Sequence, residues 1–127
     1  QAVAVSAGTV RMSGFDLMSD GVVNTGTPGI ADEGTEVDAV SVHDVLAERP
    51  FWDVVKLDIE GYEYRLIEDL TDSEFAKIGM FTMEFHHPIE ADTDARGRGL
   101  EALLRSKGFA TDYNWAWGCQ GRLRARR

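Results

Sequence analysis

Apolar and polar positions follow strand-like and helix-like periods in turn along the second half of the chain. Segments 52–59 and 78–86 are rich in β-branched and apolar residues, which predicts two strands. Between them, apolar residues recur at helical spacing over 62–70, and a second helix is predicted from Thr93 to about Lys107. Strands and helices that alternate in this way build crossover units, so the two strands are expected to be parallel neighbours.

Shorter strand signals lie at both ends of the chain. Segments 109–113 and 117–124 are predicted strands with no helix between them, so they can pair only as an antiparallel hairpin. Near the start, 2–5 and 9–15 are separated by a turn-prone trio and are expected to form a second hairpin.

The middle of the chain combines a glycine-rich segment with a short strand and helix. Segment 16–36 has little periodicity and is expected to be a loop, either a lid or a variable surface excursion. A strand over 36–40 follows, and Ser41 with Asp44 predicts a capped helix that ends at Ala47. The elements together predict one α/β domain over residues 1–127 with a mixed, mostly parallel sheet.

The charge balance narrows the classes of partner. The chain carries 22 acidic and 13 basic residues, a net charge of -9, which repels phosphate backbones and anionic membranes. Nucleic acid and membrane are therefore not expected partners, and a small-molecule substrate is. The arginines of the tail are interpreted as a solvated last strand without a function of their own. These arginines are Arg122, Arg124, Arg126 and Arg127.

Cysteine content and hydropathy indicate the compartment. Cys119 is the single cysteine, so no internal disulfide can form and a reducing cytoplasm is expected. No run of about 18 apolar residues occurs, and the chain begins at Gln1 without the features of a signal peptide. A start without Met that enters directly into an apolar alternation suggests a fragment of a larger folded unit.

Acidic residues concentrate where the two predicted central strands end. Asp58 and Glu60 end the first strand and share one of its faces, and Glu84 and His86 share one face of the second. If the strands are neighbours, these four side chains converge at the edge of the sheet where open α/β proteins bind ligands. Clustered carboxylates need compensation from a raised pKa, a cation, Lys56, or the hydroxyl and ammonium groups of a ligand.

Two other interpretations of the acids stay open. Asp58 can simply cap the following helix, and Glu60 or Glu63 can favour its N-terminal dipole. Carboxylates and imidazole also suit a metal ion, and a small metal-dependent hydrolase would place that metal at Asp58, Glu84 and His86. Spacing alone does not decide between these possibilities.

The segment Val55-Lys-Leu-Asp-Ile-Glu-Gly-Tyr-Glu63 resembles the signature segment of the FkbM-type methyltransferases, which use S-adenosylmethionine. Segment 36–46 resembles the part that precedes it in that family, and Phe81-Thr-Met-Glu-Phe-His86 resembles the strand that follows. The Ala2 to Val10 region and the helix from Leu100 to Phe109 also fit, so the resemblance covers most of the chain.

The resemblance implies a fold and a cofactor. The family's fold is a class I (Rossmann-like) methyltransferase, a three-layer sandwich of a mostly parallel sheet between helices, with a terminal antiparallel hairpin. The first half of that fold, with its glycine loop for S-adenosylmethionine, has no counterpart in this sequence, so the chain is interpreted as a partial domain. Such a domain has a bare sheet edge, which predicts instability or homo-oligomer formation through that edge.

The resemblance also implies site residues. It places Asp58, Glu60, Gly61 and Glu63 beside the methyl-transfer pocket, with Glu84 and His86 on the adjoining strand. The hypothesis is O-methylation of a hydroxyl on a sugar, polyketide or other small molecule. Asp58 or His86 takes the proton, Glu60 and Glu84 orient hydroxyls, and Glu63 and His87 contact substrate. The alternative is a non-catalytic remnant or binding module of the same fold.

Overall fold

The computed structural model describes residues 2–13, 15–17, 23–25, 30, 32–59, 61–86, 93–115 and 120–127. Within them lie nine strands and four helices. The strands are β1 (Ala2–Ala4), β2 (Gly8–Met12), β3 (Phe15–Leu17), β4 (Val23–Thr25), β5 (Thr35–Ser41), β6 (Val55–Leu57), β7 (Met80–His86), β8 (Ala110–Trp115) and β9 (Gln120–Arg126). The helices are α1 (Val42–Ala47), α2 (Glu63–Glu68), α3 (Asp72–Phe75) and α4 (Thr93–Ser106).

The main sheet has four strands in the order β6-β7-β9-β8. Strands β6 and β7 are parallel, as expected for strands joined by a helical crossover, which consists of α2 and α3. Strands β8 and β9 form the predicted terminal antiparallel hairpin, and β9 inserts antiparallel between β7 and β8. One of the three pairings is therefore parallel, and the mostly parallel sandwich that the resemblance implied is not confirmed by these mixed sheets.

One face of this sheet carries the hydrophobic core. Phe81 and Met83 of β7 and Leu123 and Ala125 of β9 point to that face and are almost fully buried. Helices cover them with apolar stripes that follow the 3.6-residue period. The stripes consist of Tyr64, Leu66 and Ile67 of α2, Phe75 of α3, and Leu100 and Leu104 of α4. The helix α4 ends where predicted, since Gly108 adopts a φ of 87° that favours glycine.

The opposite face of the main sheet is polar. Lys56 and the β9 residues Arg122, Arg124 and Arg126 are exposed there, and Glu84 is half-buried among them. Within the described residues, no helix covers this face. A sheet with antiparallel pairings tolerates one solvated face, whereas a fully parallel one would not. The face is therefore accessible to a ligand or to another part of the protein.

A second, smaller sheet has the order β1-β5-β2. The prediction that the first two strands form a hairpin is wrong, because β5 lies between them. Strand β5 runs parallel to β1 and antiparallel to β2, so its longer backbone supplies a hydrogen-bonding ladder to both. The short connection 5–7 therefore crosses from one edge of β5 to the other.

The glycine-rich segment contains a short strand pair. Strands β3 and β4 pair antiparallel within the region that was expected to be a loop, so that part of the expectation is corrected. Much of the remainder of 16–36 lies outside the described residues, and its role as a lid stays a prediction. In the described part of the chain, no helix has the length and hydropathy needed to cross a bilayer.

Candidate functional site

The candidate acids Asp58 and Glu84 belong to the segments of the two neighbouring parallel strands of the main sheet. Strands β6 and β7 pair in a register that sets Lys56 beside Thr82 and Leu57 beside Met83, so Asp58 follows next to Glu84. The side chains of Asp58 and Glu84 are 38% and 34% exposed, which leaves both accessible from solvent. The predicted pairing of the two strands is thus confirmed. Asp58 lies one residue beyond β6, and Glu84 lies one residue beyond Met83 on β7.

Basic side chains compensate the two carboxylates. The Lys56 ammonium lies 3.1 Å from Asp58 Oδ2, which is the lysine partner that the sequence suggested. Arg122 of β9 lies 3.8 Å from Glu84 Oε1, a contact that the sequence did not predict. The alternation of arginine in the tail indicated only that these arginines share one face of their strand, because residues two apart on a strand point the same way. The site is therefore a mixed-charge surface and not a cluster of unpaired acids.

Glu63 has a different environment from the other acids. It is 0% exposed, and its carboxylate accepts hydrogen bonds from the backbone N–H of Ile59 at 2.9 Å and of Gly61 at 2.8 Å. Gly61 has a φ of 95°, a left-handed conformation that makes this tight strand-to-helix turn possible. Glu63 thus holds the turn that carries Asp58, and the buried position does not favour the predicted contact between Glu63 and substrate.

The structure does not describe the side chains of three predicted site residues. Glu60 and His87 lie outside the described residues, and of His86 the description covers only the backbone, which pairs with Gln120. Their predicted roles stay predictions. Among the described residues no group of three or more His, Cys, Asp or Glu could hold a metal ion, but the proposed hydrolase site includes the His86 side chain.

Two cavities flank strand β6. An apolar groove of about 280 Å³ runs along its free edge and is lined by Val3, Leu46, Val54 and Leu57 among others. A smaller hollow of about 160 Å³ lies on the open face. It is lined by Lys56, Thr82, Met83, Glu84, Arg122 and Arg124. The groove is larger, but the candidate chemistry borders the hollow, since Glu84 lines it and Asp58 pairs with Lys56 at its rim.

The apolar groove along β6 does not fit S-adenosylmethionine with the described residues that line it. The groove along β6 has aliphatic and aromatic walls, with Lys56 as its charged member and no carboxylate. The cofactor carries ribose hydroxyls and an ammonium group, which need acceptors such as carboxylates. Among the described residues no such acceptor lines the groove, so the groove has no assigned part in binding the cofactor.

His43 of α1 forms a cluster that the sequence did not reveal. Its Nδ1 lies 2.7 Å from Glu74 Oε1, and its Nε2 lies 2.9 Å from Asp69 Oδ2. Hydrogen bonds to Glu74 and then to Asp69 raise the pKa of His43. Burial raises the pKa of Glu74, but hydrogen bonds from Thr71 and His43 outweigh it and leave that pKa below its ordinary value. Because only a protonated imidazole can donate to both carboxylates, the cluster is a pH-dependent clip between α1 and the α2–α3 turn.

We expect this clip to stabilise the protein most between the unperturbed pKa values of Glu74 and His43, 4.5 and 6.5. The His43 contribution is fully present below 6.5 and is lost as pH rises through the raised folded-state pKa. The Glu74 contribution is present above 4.5 and is lost as pH falls through the lowered folded-state pKa. Since the His43 side chain is 36% exposed, solvent screening limits the effect to about 1 kcal/mol or less.

Urea unfolding of the wild type and of His43→Gln across a pH series measures the clip. The stability difference between them is expected to be largest between pH 4.5 and pH 6.5 and to shrink as the pH rises through the raised folded-state pKa of His43. His43→Gln removes the titrating ring but keeps a polar side chain, so Ser41 can still cap α1 by accepting from the backbone N–H of position 43. A stability difference that stays constant as the pH rises through the folded-state pKa of His43 would contradict the clip.

Comparison with known proteins identifies the family. The sequence model of the family Methyltransferase FkbM domain matches residues 7–110, which is well over half of the chain. The matched range includes β6, α2 and β7. No curated protein and no solved structure matched the chain. The matched range contains Asp58, Glu63 and Glu84, the candidate residues whose side chains the structure places. The chain therefore belongs to the FkbM methyltransferase domain family.

Proposed function

We propose that this chain forms the acceptor side of an O-methyltransferase that acts on a hydroxyl of a small molecule such as a sugar or polyketide. The observation that carries the proposal is the placement of Asp58, directly after strand β6, and of Glu84, on the adjacent parallel strand β7, both accessible from solvent. Family membership supplies the reaction class, methyl transfer. The carboxylates supply the reason for preferring a hydroxyl acceptor, because they accept hydrogen bonds from O–H groups.

Each side chain has a distinct role in this proposal. Asp58 takes the proton of the acceptor hydroxyl as its oxygen attacks, and the Lys56 ammonium at 3.1 Å fixes the carboxylate in position. Glu84 orients the acceptor by accepting a hydrogen bond from a second hydroxyl. Glu63 does not touch substrate in this scheme; it is a positioning residue that holds the turn following Asp58. His86 is the alternative proton acceptor, Glu60 a further hydroxyl acceptor, and His87 a substrate contact.

The methyl donor is proposed from the family, as S-adenosylmethionine. When bound, it would supply the electrophilic methyl group, whose bond to sulfur breaks as the acceptor oxygen bonds to carbon, and it would leave as a neutral thioether. The residues that bind it are proposed to lie outside the described part of the chain. Asp58 and Glu84 act on the acceptor only. This division explains how the acceptor residues can be well formed while the apolar groove lacks polar partners for the cofactor.

Transfer of labelled methyl groups in the full encoded protein tests the proposal. Asp58→Asn keeps the size of the side chain but cannot take a proton, so the turnover number is expected to fall about 100-fold or more. Glu84→Gln is expected to raise KM more than it lowers kcat, because an amide oxygen still accepts one hydrogen bond. Asp44→Asn, an exposed change on α1, is the matched control.

Unchanged turnover in Asp58→Asn would remove the base assignment to Asp58. An equal loss in Asp44→Asn would show that general destabilisation and not chemistry is being measured. Far-ultraviolet circular dichroism of each variant separates the two cases, since the exposed substitutions should leave the fold intact.

A binding module without catalysis is the second candidate function. The misfit between the apolar groove and S-adenosylmethionine favours it. Calorimetry with S-adenosylmethionine, on this chain and on the complete encoded protein, distinguishes the two candidates. Binding by the complete protein supports the enzyme, and absence of binding by both supports the module.

A further inference from the structure

The strand β9 places arginines in a file along the open face of the main sheet. Arg122, Arg124 and Arg126 alternate with the buried residues Leu123 and Ala125, so all three face solvent. Arg127 follows a different course, because its guanidinium donates to the backbone oxygens of Phe75 and Lys107. Among the described residues, the three exposed arginines make no backbone hydrogen bonds like those of Arg127. The chain has a net charge of -9, yet it concentrates cations on this face.

The strand register aligns two cations and a hydroxyl in one row. Lys56 pairs with Thr82 across β6 and β7, and Thr82 pairs with Arg124 across β7 and β9. Neighbouring strands are about 4.8 Å apart, so the backbones of Lys56 and Arg124 are about 10 Å apart with Thr82 between them. Long side chains on both sides can reach a group that sits above the threonine hydroxyl.

The charges of this row are not all neutralised by protein carboxylates. Lys56 pairs with Asp58 and Arg122 approaches Glu84 loosely, at 3.8 Å. Arg124 makes no ion pair with any of the described residues, although Asp112 is its cross-strand neighbour on β8. Of the described residues that line the hollow of about 160 Å³, three are cationic, Lys56, Arg122 and Arg124, and one is a carboxylate, Glu84.

We propose that this hollow binds a phosphate group, with Lys56, Thr82 and Arg124 as its direct contacts. The guanidinium of Arg124 can donate two parallel hydrogen bonds to phosphate oxygens, and the ammonium of Lys56 adds a positive charge. The hydroxyl of Thr82 can donate one further hydrogen bond. The carboxylates of Asp58 and Glu84 lie toward one end of the hollow and repel the anion from that end. Arg126 lies two residues beyond Arg124 on β9, away from Glu84, and lines a second hollow together with Arg124.

The phosphate site borders the proposed acceptor site. Asp58 and Glu84 are two residues along their strands from Lys56 and Thr82, a rise of about 7 Å. A phosphorylated small molecule could therefore hold its phosphate over Thr82 and present a hydroxyl to the carboxylates. This assignment of the acceptor class rests on the proposed function, whereas phosphate binding itself does not.

Titrations followed by NMR chemical shifts or calorimetry, at constant ionic strength, test the binding. The probes are inorganic phosphate, a hexose phosphate and the same hexose without phosphate. The wild type is expected to bind both phosphates and not the free hexose. Equal affinity for the two phosphates identifies a site for free phosphate, and tighter binding of the ester identifies a phosphorylated metabolite.

Matched variants locate the site. Lys56→Gln and Arg124→Gln are each expected to weaken phosphate binding about threefold to fivefold, and the double variant is expected to weaken it about tenfold to twenty-fivefold. Arg11→Gln is the control, because Arg11 is exposed and pairs with Glu36 on the other sheet. Asp58→Asn is expected to retain phosphate binding even where it abolishes methyl transfer, which separates failure of this proposal from failure of the proposed function. Wild-type-like binding by the double variant, equal weakening by Arg11→Gln, or no phosphate binding by the wild type would overturn it.

Discussion

Replacing Glu63 by Gln is expected to lower the free energy of unfolding by about 3 kcal/mol. The Glu63 carboxylate is 0% exposed and each of its oxygens accepts a backbone N–H, from Ile59 and from Gly61. An amide has one oxygen and one NH₂ group, so one of the two backbone donors would then face another donor. Leaving one of these donors without its acceptor carries a desolvation cost of about 1 to 3 kcal/mol.

Urea or thermal unfolding of Glu63→Gln measures the effect, with Glu68→Gln as its control. Glu68 lies on the same helix α2 but is exposed, so its substitution is expected to change stability by about 0.5 kcal/mol or less. Methyl transfer is expected to fall together with stability, because the turn held by Glu63 follows directly on Asp58. Equal stability of the two variants would show that the buried carboxylate does not hold the turn.

Strong local periodicity explains why the centre of the fold could be predicted from the sequence. The strands at 55–57 and 80–86 and the helix at 63–68 each combine a clear apolar pattern with a short connection, which leaves one arrangement for the crossover. The terminal hairpin was predictable for the same reason, since two strands with no helix between them can only be antiparallel. Bounds differed by a few residues, as helix and strand ends usually do.

Elements whose arrangement depends on pairing with residues far away in the sequence were predicted less well. Strands β1 and β2 look like a hairpin locally, and only the position of β5 between them shows otherwise. The short pair β3 and β4 is hidden among glycines, whose weak strand propensity removes the usual signal. Helix α3 was missed although Thr71 and Glu74 form a complete capping box, a signature that can be read from sequence.

The candidate site shows the same division between local and distant information. Asp58 and Glu84 were predictable because their strands are consecutive and their faces follow from alternation. The partnership between Glu84 and Arg122 was not, because it depends on β9 inserting beside β7. The His43 cluster was also beyond prediction, since its partners Asp69 and Glu74 lie on elements whose packing against α1 no local pattern specifies.

Replacing Phe81 by Ala is expected to have the largest effect on stability, a loss of about 3 to 5 kcal/mol. Phe81, near the start of β7, is 1% exposed, and its ring lies 6.2 Å from that of Phe75 and 5.4 Å from that of Phe109. Its removal leaves a cavity where strand β7 meets α3 and the start of β8, so three elements lose packing at once. A loss of this size is comparable to the total stability of many domains, about 5 to 15 kcal/mol.

The exposed Phe51 provides a control with the same chemistry. It is 48% exposed, so Phe51→Ala removes as many atoms but is expected to cost about 1 kcal/mol or less. Because both substitutions change the same residue type, the difference in urea midpoint between the two variants isolates the effect of burial. A similar midpoint for both would mean that the three phenylalanine rings do not form the core that joins β7 to its helices. In that case, packing of the phenylalanine rings on the buried face of the sheet could not explain the positions of Lys56, Asp58 and Glu84 on the open face.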